Sequence, residues 1–378
     1  MDFSYTENQV LLRDSVDRFL TDRYDLRARD ILIRDPAGQQ RFWRELADLG
    51  LVGAALPEAA GGFAESPVDT LVVMDRLGRH LVAEPYVITA VVCGRLLLDS
   101  LPGAQARDAL APVIAGERQL ALMTCGNQPL YGPAFGTLTA RRSGGGYVLD
   151  GHMAVVINGD RADQFLVAAR TAGADGERPG VTLFLVDAGA AGLGRHPFRM
   201  IDGHGAAAVT LAGVVVGAEA VIGPVDGAVP LIERALDHGI AATCAEATGS
   251  AAYLLDTTIA YTNAREQYGQ PLARFQVLQH RMADMYIAVE TARSMACFAA
   301  LSLDQVDVAR ARDLSAAKAQ VSRATRFVGQ YAVQLHGGMG VSEELDVGHH
   351  YIRLVGPGPP VRGRGTPSAP ICRRLGSH

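Results

Sequence analysis

Long apolar runs are missing from this chain: none approaches the ~18–20 residues that a membrane-spanning helix needs. Clusters of basic residues are missing too. Lysine and arginine number 35 against 40 acidic residues, for a net charge of -5. With no basic patch or run, nucleic acid is not an expected partner. Cysteine is scarce and scattered. Cys93, Cys125, Cys244, Cys297 and Cys372 form no C-x-x-C and have no paired histidine, a reduced, cytosolic pattern rather than a disulfide framework or zinc site. The opening residues MDFSYTENQV are too polar for a signal peptide. The expectation is a cytoplasmic protein with no membrane span and no resident metal.

What is present is ordinary globular material, 48% apolar and 20% charged over 378 residues, which is long for one core. Residues 1–120 read as a helical domain. Leu12, Val16, Phe19 and Leu20 share one face of a first helix, and FWRELADLGLVG (42–53) forms a second, ended by Gly50 and Gly53. A third, Leu71–Leu81, runs into the Ala83–Glu84–Pro85 break. From 121 to 225 the texture changes to short β-branched runs: YVLDG, QFLVAAR, VTLFLVD, AVTL and VVVG. Their spacing predicts a small antiparallel barrel or sandwich. From 226 to 354 helices return, and Val321, Ala324, Val328, Tyr331 and Leu335 repeat the 3-4-3-4 spacing of a helical bundle. Residues 355–378 are a Pro/Gly/Arg-rich tail that cannot continue a helix. The fold class is α+β, mainly α.

Two passages carry chemistry. In AREQYGQPLARFQVLQHRMADMY (264–286) a helix carries Arg265 in its last turn, with Gly269 expected as its C-cap and Pro271 as its stop. A second helix follows, with Phe275, Leu278, Met282, Met285 and Val289 on its buried face. Arg265, Gln267, Tyr268 and Gln276 gather at that corner, where a guanidinium, an aromatic ring and amides suit a diphosphate and a flat heterocycle. A plain helical hairpin with a solvated arginine fits the spacing as well. The other passage is QLHGGMG, Gln334–Gly340. A helix C-cap explains one glycine there, but close approach of a cofactor to main chain explains three. His336 either touches that cofactor or caps the helix, and His349–His350 reads as a solvated turn rather than a metal pair.

The passage REQYGQPLARFQVLQHRMADM closely resembles the signature of the acyl-CoA dehydrogenase family of flavoproteins. LADLGLVGAALPEAAGGF resembles that family's N-terminal hallmark, and GYVLDGHMAVVINGDRADQFLVAAR its middle β-domain. The resemblance spans roughly residues 1–353. It implies an N-terminal helical domain, a middle antiparallel β-domain and a C-terminal four-helix bundle. It also implies FAD as cofactor, held by Arg265, Gln267, Tyr268, Gln276, Gln334, Gly337 and Gly338 for a neighbouring subunit, with Thr124 near the flavin. The implied reaction is α,β-desaturation of an acyl-CoA or other acyl thioester. A carboxylate takes the α-proton, the β-hydride goes to the flavin, and an electron-transfer flavoprotein serves as acceptor.

The chain departs from that family at the base. Counting beyond the Gly–Gly pair to the usual glutamate lands near Val361, and no Glu follows Leu345. The alternative position, in the helix before Arg265, holds Gly239. Glu246, two turns on and on the same face, is the substitute candidate, or else a structural polar residue; Asp237 faces elsewhere. A family Thr–Glu–Pro is here Thr124–Cys125–Gly126, and the aromatic expected in the next strand is absent, the only tryptophan being Trp43. These departures, with AVQLHGGMGVSEELDVGHHY, resemble the small-subunit branch of pimeloyl-type and steroid-degrading heteromeric enzymes. Three functions follow: a working dehydrogenase, a non-catalytic subunit that completes a partner's FAD site, or a flavin oxidase. A homo-oligomer or a hetero-oligomer with a paralogous chain is implied. The tail reads either as a natural extension or as the product of a reading-frame shift near Leu354.

Overall fold

Local signals set the first helices. Thr6 caps α1 (Glu7–Arg23) in a reciprocal box with Gln9, and Val16 and Leu20 are fully buried on its inner face. The computed structural model describes residues 5–124, 137–174, 177 and 179–356. α2 (Leu26–Leu32) follows, then α3 (Pro36–Asp48), which opens on an Asp35 cap with proline in its first turn. α3 therefore begins before residue 42 and ends before Gly50, and the Leu–Gly–Leu segment after it is turn. α4 (Pro67–Arg79) starts from a Ser66–Asp69 capping box. Beyond the Ala83–Glu84–Pro85 break come a buried π-type helix (Val87–Cys93), α5 (Gly94–Ser100) and α6 (Gly103–Ile114).

The middle segment is one mixed sheet. Its strands are β1 (Leu120–Met123), β2 (Leu138–Ser143), β3 (Gly146–Ile157), β4 (Gln164–Arg170), β5 (Val181–Asp187), β6 (Leu193–Arg199), β7 (Gly205–Val216) and β8 (Val221–Ile222). The order is β6-β7-β3-β2-β4-β5-β8, with β1 beside β4. An all-antiparallel sheet was the expectation; β1–β4 and β2–β4 instead run parallel. AVTL and VVVG, expected as two strands, are one. β7 continues through Gly213, whose φ of +67° only glycine adopts easily. Phe165, Val167 and Phe184 from one arm share a core with Leu149, Met153, Val209 and Val214 from the other.

The last segment is four helices: α7 (Val229–Ala264), α8 (Gln276–Leu301), α9 (Asp307–His336) and α10 (Asp346–Val355). Met285, Val289, Val328, Ala332 and Leu335 pack against Ala251, Leu254 and Leu255 of α7. α7 also reaches back to the first segment at unusually short range. A Cβ on Gly249 would lie 1.8 Å from the Asp75 carbonyl oxygen, and one on Gly78 would lie 2.0 Å from that of Glu246. Two glycines thus let α4 and α7 cross backbone to backbone, and that crossing fixes where Glu246 points. Among the described residues no helix is long and apolar enough to cross a membrane.

Candidate functional site

The Arg265 corner is not two helices joined by a capped turn. α7 stops at Ala264 with Arg265 extended, and residues Glu266–Gln267 (β9) pair with Gln270–Pro271 (β10) in a two-residue hairpin. Tyr268 and Gly269 form its tip with φ of +54° and +79°, a pair of positive angles typical of a tight hairpin turn. Gly269 is therefore a turn residue, not a helix cap. The hairpin throws Tyr268 outward until it is 92% exposed. Arg265, Gln267 and Gln276 are exposed with it, and Arg265 makes no ion pair among the described residues.

The glycine passage lies at the same end of the bundle. Tyr261, one turn before Arg265, stacks on His336, the residue before Gly337, with ring centroids 4.4 Å apart. The three glycines have different reasons to be there. Gly337 has φ +61° and ψ -137°, and a Cβ on Gly340 would meet the Val333 carbonyl at 2.6 Å. Gly338 is exposed, with nothing within 4 Å of an added Cβ. That leaves an open shelf of main chain beside Gln334, itself exposed. An unpaired guanidinium, a projecting aromatic, exposed amides and bare backbone fit an anionic dinucleotide with a flat ring. His336 takes no part at this surface: it is buried, with Nδ1 2.8 Å from the Ala332 carbonyl. Thr124 belongs elsewhere, buried just past the end of β1; Cys125 and Gly126 lie outside the described residues.

Glu246 is placed in a buried ionic cluster that joins all three segments. Arg353 of α10 donates from Nη1 to Glu246 Oε1 at 2.7 Å and to the Val82 carbonyl at 3.1 Å, and from Nη2 to the Asp202 carbonyl at 3.2 Å. Arg29 donates to the Leu81 carbonyl at 3.1 Å and to the Asp202 carbonyl at 2.8 Å. The two arginines hold the strained exit of α4, where Leu81 has φ +55°. Burial opposes the charge on Arg353, but the Glu246 and Asp202 carboxylates keep it protonated. Burial also opposes charge on Asp202, yet His204 and then Arg353 hold it well below the usual carboxylate range. Asp237 does face elsewhere, 2.8 Å from Arg310.

A small chamber adjoins this cluster, with about 20 Å³ open to water-sized groups and walls from Met74, Leu77, Glu84, Ile157, His204 and Glu246. A second cavity of about 40 Å³ lies between α7, α9 and α10 beside Thr243 and Lys318. Glu84 is 4% exposed, and its Oε1 has no hydrogen-bond partner among the described residues. Burial pushes its acidity down, raising the carboxyl above its ordinary range against the pull of Arg161. The histidine pair is not a turn: both residues are in α10, and His350 is buried, 2.7 Å from Ser250 Oγ and stacked on Tyr253. No metal cluster occurs among the described residues. Sequence reasoning missed Glu84, Asp202, His204 and Arg353. Their one signal was a charge set inside an apolar run, as in LVAEPYVITAVV.

This architecture, helices then a β-sheet then a bundle with an open glycine shelf, defines a flavoprotein-type dehydrogenase fold. Residues 6–117 match the description "Acyl-CoA dehydrogenase, N-terminal domain" and residues 229–354 match "Acyl-CoA dehydrogenase, C-terminal domain". The chain belongs to the acyl-CoA dehydrogenase superfamily. It is 28% identical to the cyclohex-1-ene-1-carbonyl-CoA dehydrogenase of Geobacter metallireducens over 90% of this chain and 91% of that protein. Among solved structures, the Tcur3481–Tcur3483 steroid enzyme is 28% identical with a TM-score of 0.80, covering 98% of this chain and 97% of that one. Butyryl-CoA dehydrogenase from Megasphaera elsdenii is 25% identical with a TM-score of 0.84, covering 95% and 97%.

Proposed function

We propose that this chain is an FAD-dependent acyl-CoA dehydrogenase, working in an oligomer and desaturating an acyl thioester between its α and β carbons. The observation that carries this is the open shelf at Gly337–Gly338 beside the exposed Arg265–Gln276 corner, a surface that no other described residue covers. Arg265 would pair with the diphosphate, Tyr268 and the Gln276 and Gln334 amides would meet the rings and ribitol or ribose hydroxyls, and Gly338 would let main chain approach. The resemblance implies that the cofactor gripped there belongs to a neighbouring subunit, with Thr124 on the flavin side of the site, and the outward-facing surface supports that reading. FAD, once bound, supplies the acceptor for the β-hydride. An electron-transfer flavoprotein is the proposed onward acceptor.

A second reading has its own observation. Glu246, the only carboxylate sequence counting offered, is engaged by Arg353 at 2.7 Å, and Gly239 has no side chain to replace it. That favours a subunit which completes FAD sites in a heteromer while a sister chain carries the base, as in the small-subunit branch. Anaerobic titration of the purified, flavin-loaded chain with a panel of acyl-CoAs separates the two. Bleaching of the flavin is expected of a self-sufficient dehydrogenase. A flavin that no thioester bleaches, with bleaching restored by a paralogous chain, replaces the first reading by the second.

A further inference from the structure

We propose that the chamber between α4, α7 and the sheet seats one uncharged oxygen, a hydroxyl or ketone on the acyl part of the thioester, with Glu84 as the residue that recognises it. The inference rests on the acyl-thioester reading above and adds the substrate class.

Glu84 is the odd group in this region. Its Oε1 is buried and has no partner among the described residues, while the carboxyl otherwise meets its own backbone N–H and, at Oε2, the Tyr24 hydroxyl at a long 3.5 Å. Buried polar atoms in native proteins are almost always satisfied, so an unsatisfied one lining a cavity points to a missing partner. The chamber is the right size for that partner. About 20 Å³ admits one water-sized group, and Met74, Leu77 and Ile157 line it with apolar side chains that offer that group no competing partner.

Charge balance selects a neutral ligand. Each guanidinium here already faces an acid: Arg353 faces Glu246 and Asp202, Arg29 faces Asp30 at 3.4 Å, and Arg161, the cation that pulls on Glu84, faces Asp160 at 3.6 Å. A charged ligand group would enter as an uncompensated buried charge. Glu246 is engaged by Arg353, and His204 Nδ1 lies 3.0 Å from Asp202 Oδ2, so Glu84 is the side chain with an oxygen to spare. Burial favours its protonated form, which donates to a hydroxyl or carbonyl oxygen. Position makes that oxygen distal. Glu246 lies seven residues, about 10 Å, along α7 from Gly239, where the resemblance expects a base beside the reacting carbon.

The test is calorimetric titration of the flavin-loaded protein with saturated acyl-CoAs of several lengths and their ω-hydroxy counterparts. The expected result is at least tenfold tighter binding of the hydroxylated member at one chain length, lost in Glu84→Leu and largely kept in Glu84→Gln. Equal affinity for both series in the wild type overturns the proposal whether or not the leucine variant folds, and so does a preference that survives in Glu84→Leu. Thioesters that bind without preference sink this inference alone. If no CoA thioester binds at all, the acyl-thioester reading falls and this one with it.

Discussion

Removing Arg353 should damage the fold far more than removing any surface arginine. Its guanidinium is 1% exposed and serves Glu246, the Val82 carbonyl and the Asp202 carbonyl at once. Arg353→Met fills much of the volume but leaves Glu246 and Asp202 as buried anions with one cation fewer. Breaking a buried pair from one side costs about 3–5 kcal/mol. Glu246→Gln keeps shape and an acceptor oxygen while deleting the charge, so about 1–3 kcal/mol is expected, the range for a weakened buried hydrogen bond. The double variant Arg353→Met/Glu246→Gln removes both charges and should lose less than the sum, with a coupling of about 1–3 kcal/mol.

Urea midpoints followed by far-UV circular dichroism, read beside flavin bleaching by acyl-CoA, test this together. The reasoning predicts that Glu246→Gln shifts the midpoint downward. A wild-type midpoint combined with abolished bleaching would refute it and make Glu246 the base. Strict additivity in the double variant would refute the ion pair itself.

Two further outcomes follow from the same geometry. Gly338→Val adds a side chain to an exposed shelf where no described residue lies within 4 Å of the new Cβ, so the urea midpoint should move by no more than about 0.5 kcal/mol equivalent. Flavin retained through gel filtration should fall sharply, and full retention would remove the shelf from the cofactor site. His350 is buried, and burial followed by the Arg353 charge pushes its proton affinity well below normal. The unfolded chain takes up that proton near pH ~6.5 and the folded chain does not. Stability should therefore fall as pH drops below that value, by up to about 1.4 kcal/mol per pH unit for this group. Asp202, depressed by His204 and Arg353, adds a loss at still lower pH as its carboxylate protonates. Urea midpoints at pH 7.5 and 5.5 should differ less in His350→Gln; an unchanged slope would mean that His350 titrates alike in both states.

The order of helices, sheet and bundle was legible because it rests on period. A 3-4 spacing and a 2 spacing are local properties, and burial selects them the same way wherever they occur. Period is silent where a single backbone angle decides. Nothing in the run AVTLAGVVV tells whether Gly213 ends a strand or bends one, and it bends β7. Likewise Tyr268–Gly269 lies between a helix and a helix, so a cap was the natural reading, but two positive φ angles make it a hairpin tip. Parallel pairing of β1 with β4 joins residues more than forty positions apart, and no local pattern encodes it.

The two halves of the site differ in the same way. Arg265, Tyr268 and Gln276 lie within a dozen residues, and such a surface can be written in one continuous motif. The buried junction takes Arg29, Glu84, Asp202, Glu246 and Arg353 from five distant places. A helical face says which way Glu246 points. It does not say that Arg353 is waiting there, and a carboxylate facing a buried guanidinium is a different chemical group from one facing an empty slot. Once that pair is counted, and the Asp202 carboxylate is given to His204 and Arg353, one acid at the junction is left over. Glu84 has neither a matching cation in hydrogen-bond reach nor water enough to ionise freely. A protein that keeps such a group beside a cavity either tolerates its cost or uses it, and the cavity's single-oxygen size argues for use.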